Sequence, residues 1–65
     1  MINVALFGFG RIGQMHAENL TKNKEIKLLY VHEKIDQLSK KAKKIYGCKI
    51  EKNYKKIFND KNVDI

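Results

Sequence analysis

A glycine-spaced turn between two apolar segments constrains the fold of this chain more than any other feature. Gly8, Gly10 and Gly13 follow an apolar run over Ile2–Phe7 and open an amphipathic segment over Arg11–Leu20. This order of strand, turn and helix is the context that the G-x-G-x-x-G dinucleotide-binding fingerprint requires. The first glycine permits the tight turn, the second lets the backbone approach a diphosphate, and the third lets the helix pack closely on the strand. The sequence therefore predicts a phosphate-binding turn at a helix N-terminus.

An acidic residue further along the chain extends this pattern. A second apolar run over Leu28–Val31 leads to Glu33, which lies 20 residues beyond Gly13. A carboxylate at the tip of the second strand, about 20 residues after the glycines, hydrogen-bonds the adenosine ribose in NAD-binding folds. Its two oxygens can accept hydrogen bonds from both ribose hydroxyls. The turn and Glu33 together predict a nucleotide-binding βαβ unit.

Strand and helix patterns alternate along the whole chain. They predict strands over Ile2–Phe7, Ile26–His32 and Lys49–Glu51, helices over Arg11–Thr21 and Ile35–Tyr46, and a brief helix capped by Asn53. Asn62–Ile65 reads as the first residues of a further strand. The alternation predicts an α/β fold, a partial Rossmann fold with a doubly wound parallel sheet, comprising the first βαβαβ portion and truncated at the start of a further strand. We expect residues 1–65 to be the N-terminal part of a dinucleotide-binding domain, with the substrate domain absent.

Apolar spacing also predicts which helix faces are buried. On the first helix the predicted inner face is Ile12, Met15 and Leu20. On the second helix it is the stripe of Ile35, Leu38, Ala42, Ile45 and Tyr46, and on the brief third helix it is Tyr54, Ile57 and Phe58. Gly47 follows the second helix in the position that favours a left-handed C-terminal cap.

The charge of the chain does not by itself indicate a polyanion-binding protein. The net charge is +7, from 14 basic and 7 acidic residues, but Arg11 is the only arginine. The lysines of the second helix spread around its predicted outer face, which is typical of a solvated surface. Nucleic-acid-binding proteins more often combine arginine with exposed aromatic residues, so we expect no nucleic-acid partner. The single cysteine, Cys48, suits a reducing cytoplasm, and no apolar stretch reaches the length of a membrane span.

The residues around the glycine turn are more specific than the glycines alone. The segment Ala5–Leu20 contains Gly10-Arg11-Ile12-Gly13 followed by His16-Ala17-Glu18-Asn19, and it resembles the start of the Gfo/Idh/MocA family of NAD(P)-dependent oxidoreductases. Asn62–Ile65 is similar to the family as well, whose next strand commonly begins Val-Asp. Glyceraldehyde-3-phosphate dehydrogenases share the glycine pattern, but they typically have Asn and Arg where this chain has Phe7 and Gln14.

The resemblance implies both a cofactor and a set of residues that hold it. The expected cofactor is NAD, with NADP possible, and the expected cofactor-binding residues are Gly8, Phe9, Gly10, Arg11, Ile12, Gly13, Glu33 and Lys34. Phe9, Arg11 and Ile12 would lie along the diphosphate largely through backbone groups, and Glu33 would hold the ribose. A cation at Lys34 could accept the 2′-phosphate of NADP, whereas the carboxylate of Glu33 would repel it, which favours NAD.

The resemblance also implies a reaction for the complete protein. That reaction is oxidation of a secondary alcohol on a small cyclic polyol or sugar by a cytoplasmic homo-oligomer. None of the family's catalytic residues falls within this chain, and His16 and His32 are interpreted as packing residues. We expect no metal site. Two alternatives stay open, namely a glyceraldehyde-3-phosphate dehydrogenase-type cofactor domain and a non-catalytic regulatory domain that senses a nucleotide.

Overall fold

The computed structural model describes all of residues 1–65 and shows alternating strands and helices. The elements are β1 (Ile2–Phe7), α1 (Arg11–Thr21), β2 (Ile26–His32), α2 (Asp36–Tyr46), β3 (Lys49–Ile50) and α3 (Tyr54–Phe58). The three strands form one parallel sheet in the order β1-β2-β3. The predicted partial Rossmann fold is therefore confirmed, and β1, α1 and β2 have the predicted bounds.

The pairing of β1 with β2 contains one irregularity. Val4 pairs with Leu28, but Ala5 pairs with Tyr30, so Leu29 is an extra residue on β2. Side chains alternate between the two faces of a regular strand, and one extra residue shifts that alternation. Leu28 and Val31 consequently lie on the same face of the sheet, where both belong to the buried core.

The core lies between one face of the sheet and the two longer helices. A cluster of six buried side chains joins the sheet to α1 and α2: Phe9, Ala17, Leu28, Val31, Ala42 and Cys48. The buried thiol of Cys48 has a raised pKa because burial disfavours the thiolate. Cys48 therefore behaves as a small apolar core residue.

The predicted inner face of α1 is wrong in part. Ile12 is 66% exposed and Met15 is 53% exposed, whereas the one fully buried side chain of the helix is Ala17. The reason is the close approach of α1 to β1 at Gly13, where a Cβ atom would lie 2.2 Å from the carbonyl oxygen of Gly8. Only small side chains fit on a helix face that lies so near the strand. Leu20 is half-buried, at the end of the helix.

The second helix differs from prediction at its start and on its inner face. It begins at Asp36, because Ile35 has extended dihedral angles (φ −82°, ψ 113°), and Ile35 and Ile45 are both mostly exposed. Ala42 is buried as predicted, together with Ser39, whose hydroxyl donates to the carbonyl of Asp36 at 2.9 Å. That local hydrogen bond makes burial of a serine tolerable. Gly47 ends the helix in the left-handed conformation (φ 63°), as predicted.

The short helix α3 contacts the end of β1 through the rings of Phe58 and Phe7, 5.6 Å apart, and its buried Ile57 lies outside the core cluster of α1 and α2. Only Ile57 is buried there; Tyr54 and Phe58 are 48% and 70% exposed, which contradicts the prediction that all three are inner residues. A helix of five residues presents too narrow a face to bury three large side chains. Asn53 caps it as predicted, by accepting from the N–H of Lys55 at 3.0 Å.

The end of the chain lies along the free edge of β1. The N–H of Asp64 donates to the carbonyl of Asn3 at 2.8 Å, and the N–H of Ala5 donates to the carbonyl of Ile65 at 2.8 Å. This is the pattern of a parallel strand beginning beside β1, as the sequence predicted for Asn62–Ile65. The longest helices have 11 residues, and none combines the length and apolar character that crossing a bilayer requires.

Candidate nucleotide-binding site

The turn between β1 and α1 has the conformation that its first glycine was predicted to allow. Gly8 has φ +96°, a region that residues with a Cβ rarely adopt, and its N–H donates to the carbonyl of His32 at 2.8 Å. The chain thus turns sharply at the carboxyl end of β1 while it remains fixed to the end of β2. In open parallel sheets, ligands bind outside this carboxyl end.

The other two glycines have different surroundings. A Cβ on Gly13 would lie 2.2 Å from the carbonyl oxygen and 2.9 Å from the carbonyl carbon of Gly8, so no side chain fits there. A Cβ on Gly10, by contrast, would meet no atom within 4 Å. Gly13 is therefore required by packing within the protein, whereas the space beside Gly10 is open to a ligand.

The first turn of α1 provides hydrogen-bond donors without competing protein groups. Gly10 is the N-cap residue and offers no side-chain cap, and no acidic residue lies in the first turn. The N–H groups of Arg11, Ile12 and Gly13 have no acceptor within the helix, because the first turn of any α-helix lacks one. Together with the positive end of the helix dipole, these donors favour an anion.

A groove of about 480 Å³ lies along this turn. Its lining residues come from the end of β1, the turn and the first two turns of α1: Leu6, Phe7, Gly8, Gly10, Arg11, Ile12, Gly13 and His16. Apolar side chains therefore stand beside free backbone amides. This combination suits a ligand that carries both a phosphate and a ring.

Glu33 joins the turn to the loop that follows β2. Its Oε1 accepts from the N–H of Phe9 at 2.7 Å, and its Oε2 accepts from the N–H of Ile35 at 3.0 Å. The hydrogen bond from Ile35, followed by that from Phe9, lowers the pKa of the Glu33 carboxyl below its usual value. The carboxylate is thus ionised at neutral pH and fixed beside the turn, although each oxygen still has acceptor capacity.

Phe9 contributes its backbone to the turn and its side chain to the core. The side chain is 1% exposed, and its ring meets that of Tyr46 edge to face at 6.2 Å between centroids. Its carbonyl accepts from Nε2 of Gln14 at 3.2 Å. The sequence analysis predicted the backbone role but missed the burial, although the apolar residue between two glycines was a usable signal.

Two of the predicted site residues, Arg11 and Lys34, have exposed side chains. Neither side chain forms an ion pair. Lys52, which sequence reasoning missed, follows β3 and lies nearby: its ammonium forms an ion pair with Asp36 and approaches the carbonyl of Lys34 at 3.5 Å. It thereby links the end of β3 to the loop after β2.

The two histidines differ in their surroundings, since His32 has contacts with neighbouring residues and His16 is exposed. The ring of His32 lies 5.1 Å from that of Phe7 between centroids, and its Nε2 lies 3.1 Å from the carbonyl oxygen of Lys52. His16 is exposed at the side of the groove. No group of three or more His, Cys, Asp or Glu side chains is placed to hold a metal ion.

Comparison with solved structures shows the same fold in several larger proteins. A protein assigned as a myo-inositol dehydrogenase from Sinorhizobium meliloti is 25% identical over 98% of this chain, with a TM-score of 0.90. A myo-inositol dehydrogenase from Corynebacterium glutamicum is 25% identical over 98% of this chain, with a TM-score of 0.85. GenD2 from gentamicin A biosynthesis, solved in complex with NAD, is 24% identical over 95% of this chain, with a TM-score of 0.88.

The match to these structures is confined to one part of each. This chain covers 19% of the two myo-inositol dehydrogenases and 18% of GenD2. None of the curated proteins compared with the sequence matches it. A family model described as the oxidoreductase family with an NAD-binding Rossmann fold, however, matches residues 2–65. The chain therefore belongs to the Gfo/Idh/MocA family of oxidoreductases.

Proposed function

We propose that residues 1–65 form the N-terminal part of a dinucleotide-binding domain and bind the ADP portion of NAD. The observation that carries this proposal is the construction of the β1–α1 turn. Gly13 packs against the carbonyl of Gly8, the space beside Gly10 is open, and the first amides of α1 border the groove. A diphosphate in this groove would meet backbone donors and the positive end of the helix.

Each predicted site residue has a place in this proposal. The turn from Gly8 to Gly13 would hold the diphosphate, with the backbone N–H groups of Arg11, Ile12 and Gly13 as donors. Gly8 and Phe9 would shape the turn, because their N–H groups donate to His32 and Glu33. Glu33 would accept from the adenosine ribose hydroxyls with its remaining lone pairs. Arg11 could add an ionic contact to a phosphate oxygen, because its side chain is exposed at the groove.

We further propose that NAD is preferred over NADP. The lowered pKa of Glu33 keeps the carboxylate charged, and a 2′-phosphate would be placed against it. Lys34 is the adjacent cation, but its side chain is exposed and screened by solvent. The repulsion should outweigh this attraction, and we expect NADH to bind at least about tenfold more tightly than NADPH.

The proposed reaction is oxidation of a secondary alcohol on a cyclic polyol or sugar, as in an inositol 2-dehydrogenase. It is supported by the oxidoreductase family match and by the two myo-inositol dehydrogenases among the similar structures. NAD supplies hydride acceptance when bound. The residues of this chain would bind and orient the adenosine end, and the proton-transfer groups would belong to other parts of the protein.

Cofactor titration of the complete polypeptide that contains residues 1–65 tests this proposal. Gly10→Val should nearly abolish NADH binding while the protein stays folded, because the added side chain fills the open space beside the turn. Glu33→Ala should weaken NADH binding by about tenfold, as expected for losing hydrogen bonds to a charged group. Glu18→Ala is the matched control, since it removes the same charge from an exposed position of α1. Unchanged NADH affinity in both site variants would refute the assignment.

A further inference from the structure

The Glu33 carboxylate accepts hydrogen bonds from two backbone N–H groups of the protein. Its Oε1 is 2.7 Å from the backbone nitrogen of Phe9, a residue 24 positions earlier in the chain. Its Oε2 accepts a hydrogen bond from the N–H of Ile35 at 3.0 Å. One side chain thus connects the β1–α1 turn with the β2–α2 loop, and Glu33 is partly buried between them.

Two consecutive amides of the turn are fixed to the end of β2 in this way. The N–H of Gly8 donates to the carbonyl of His32, and the N–H of Phe9 donates to Glu33. Both donors are therefore taken up by the last residue of β2 and by Glu33, which follows it, and neither is available to a ligand. The amides that follow, from Gly10 onward, are left as the donors that border the groove. Phe9 is the last residue of the turn whose N–H is taken up within the protein, and its buried side chain anchors it in the core.

We infer that Glu33 is a positioning residue for the diphosphate-binding turn, in addition to its proposed contact with the adenosine ribose. This inference rests on the proposed function and deepens it. By holding the Phe9 N–H, the carboxylate keeps the turn in the conformation in which the first amides of α1 border the groove. A ligand that lacks ribose hydroxyls therefore depends on Glu33 as well.

Electrostatics alone predicts the opposite effect for such a ligand. Glu33 is a negative charge beside a site for a negatively charged diphosphate, so removing it should relieve repulsion. A residue that served only the ribose would leave the affinity of a dideoxy ligand unchanged or improve it. A positioning residue would lower that affinity. The sign of the change distinguishes the two roles.

The experiment compares ADP with 2′,3′-dideoxy-ADP by calorimetric titration of the complete polypeptide. Glu33→Ala should weaken dideoxy-ADP by about tenfold, the size expected when a charge-assisted hydrogen bond that organises the turn is lost. Glu33→Gln should weaken it by only about threefold, because the amide carbonyl can still accept from Phe9. Glu18→Ala, with the same charge change on the exposed face of α1, should stay within about twofold of wild type.

The outcomes separate this inference from the proposed function. If dideoxy-ADP binds Glu33→Ala as tightly as wild type, or more tightly, the positioning role is refuted while cofactor binding stands. If wild type binds neither ADP nor NADH, the proposed function fails and the inference fails with it. Should Glu33→Ala not fold, Glu33→Met, which is similar in length but has no oxygen acceptor, is judged by the same criterion.

Discussion

Replacing Gly13 with alanine tests the central packing contact of the turn. The added Cβ would lie 2.2 Å from the Gly8 carbonyl oxygen and 2.9 Å from its carbon, and both are backbone atoms. Neither atom can rotate away, so α1 must move from β1 by roughly 1 Å before the distance from the Cβ to the carbonyl oxygen reaches ordinary van der Waals contact. Overpacking of this kind costs about 3 kcal/mol at the upper end of its usual range. Alanine recovers about 1 kcal/mol of helix propensity relative to glycine, which leaves a net loss of about 2 kcal/mol.

Gly10→Ala is the matched control for this substitution. Its Cβ would meet no atom within 4 Å, and the φ of Gly10 is −70°, which alanine adopts without strain. Urea unfolding of the complete polypeptide, followed by circular dichroism, should show Gly13→Ala destabilised by about 2 kcal/mol. Gly10→Ala should change by no more than about 1 kcal/mol, the usual cost of a poorer N-cap. Equal stability of Gly13→Ala and wild type would refute the packing role of Gly13.

Three further predictions follow from the burial and hydrogen bonds of other residues. Ile57→Ala should cost about 2–3 kcal/mol because its buried side chain holds α3 to the sheet, whereas Phe58→Ala, 70% exposed, should cost under about 1 kcal/mol; the reverse order in urea unfolding would contradict the described packing. The folded-state pKa of Glu33 lies below the ordinary value of 4.5, so its stabilisation is present above that pH and is lost as pH falls through the lowered pKa. The difference in unfolding free energy between wild type and Glu33→Gln should therefore be level above about pH 5 and shrink below it; a difference that grows on acidification would be inconsistent with these hydrogen bonds. Residues 1–65 produced alone should be marginally stable, since a chain of this size buries only about 60% of its surface; slow hydrogen exchange at Val4–Leu6 with a cooperative thermal transition would show otherwise.

The elements of the fold were largely predictable because their signals are local. Glycine spacing and apolar runs give β1, α1 and β2 their observed bounds, and Gly47 marks the end of α2. The start of α2 was missed by one residue, because the N–H of Ile35 is held by Glu33 in an extended segment. That hydrogen bond is a tertiary effect of one side chain on its own loop, and hydrophobic periodicity carries no information about it.

Burial and the contacts within the site were less predictable. A helical pattern identified an apolar stripe on α1, but it could not show that contact at Gly13 would bury Ala17 and leave Ile12 exposed. The spacing of Glu33 from the glycines predicted its place beside the turn. Its hydrogen bond to Phe9 depends on the reach of a side chain between two loops, which only the folded arrangement determines.

The extra residue in β2 has a consequence for how related sequences should be aligned. Leu29 has no partner on β1, while Leu28 and Tyr30 on either side of it pair with the consecutive residues Val4 and Ala5. A relative with one residue fewer here would have a regular strand, and its acidic residue would keep the same register relative to the turn. An alignment should therefore place a one-residue gap at Leu29, because a gap between Val31 and Glu33 would move the acidic residue out of that register.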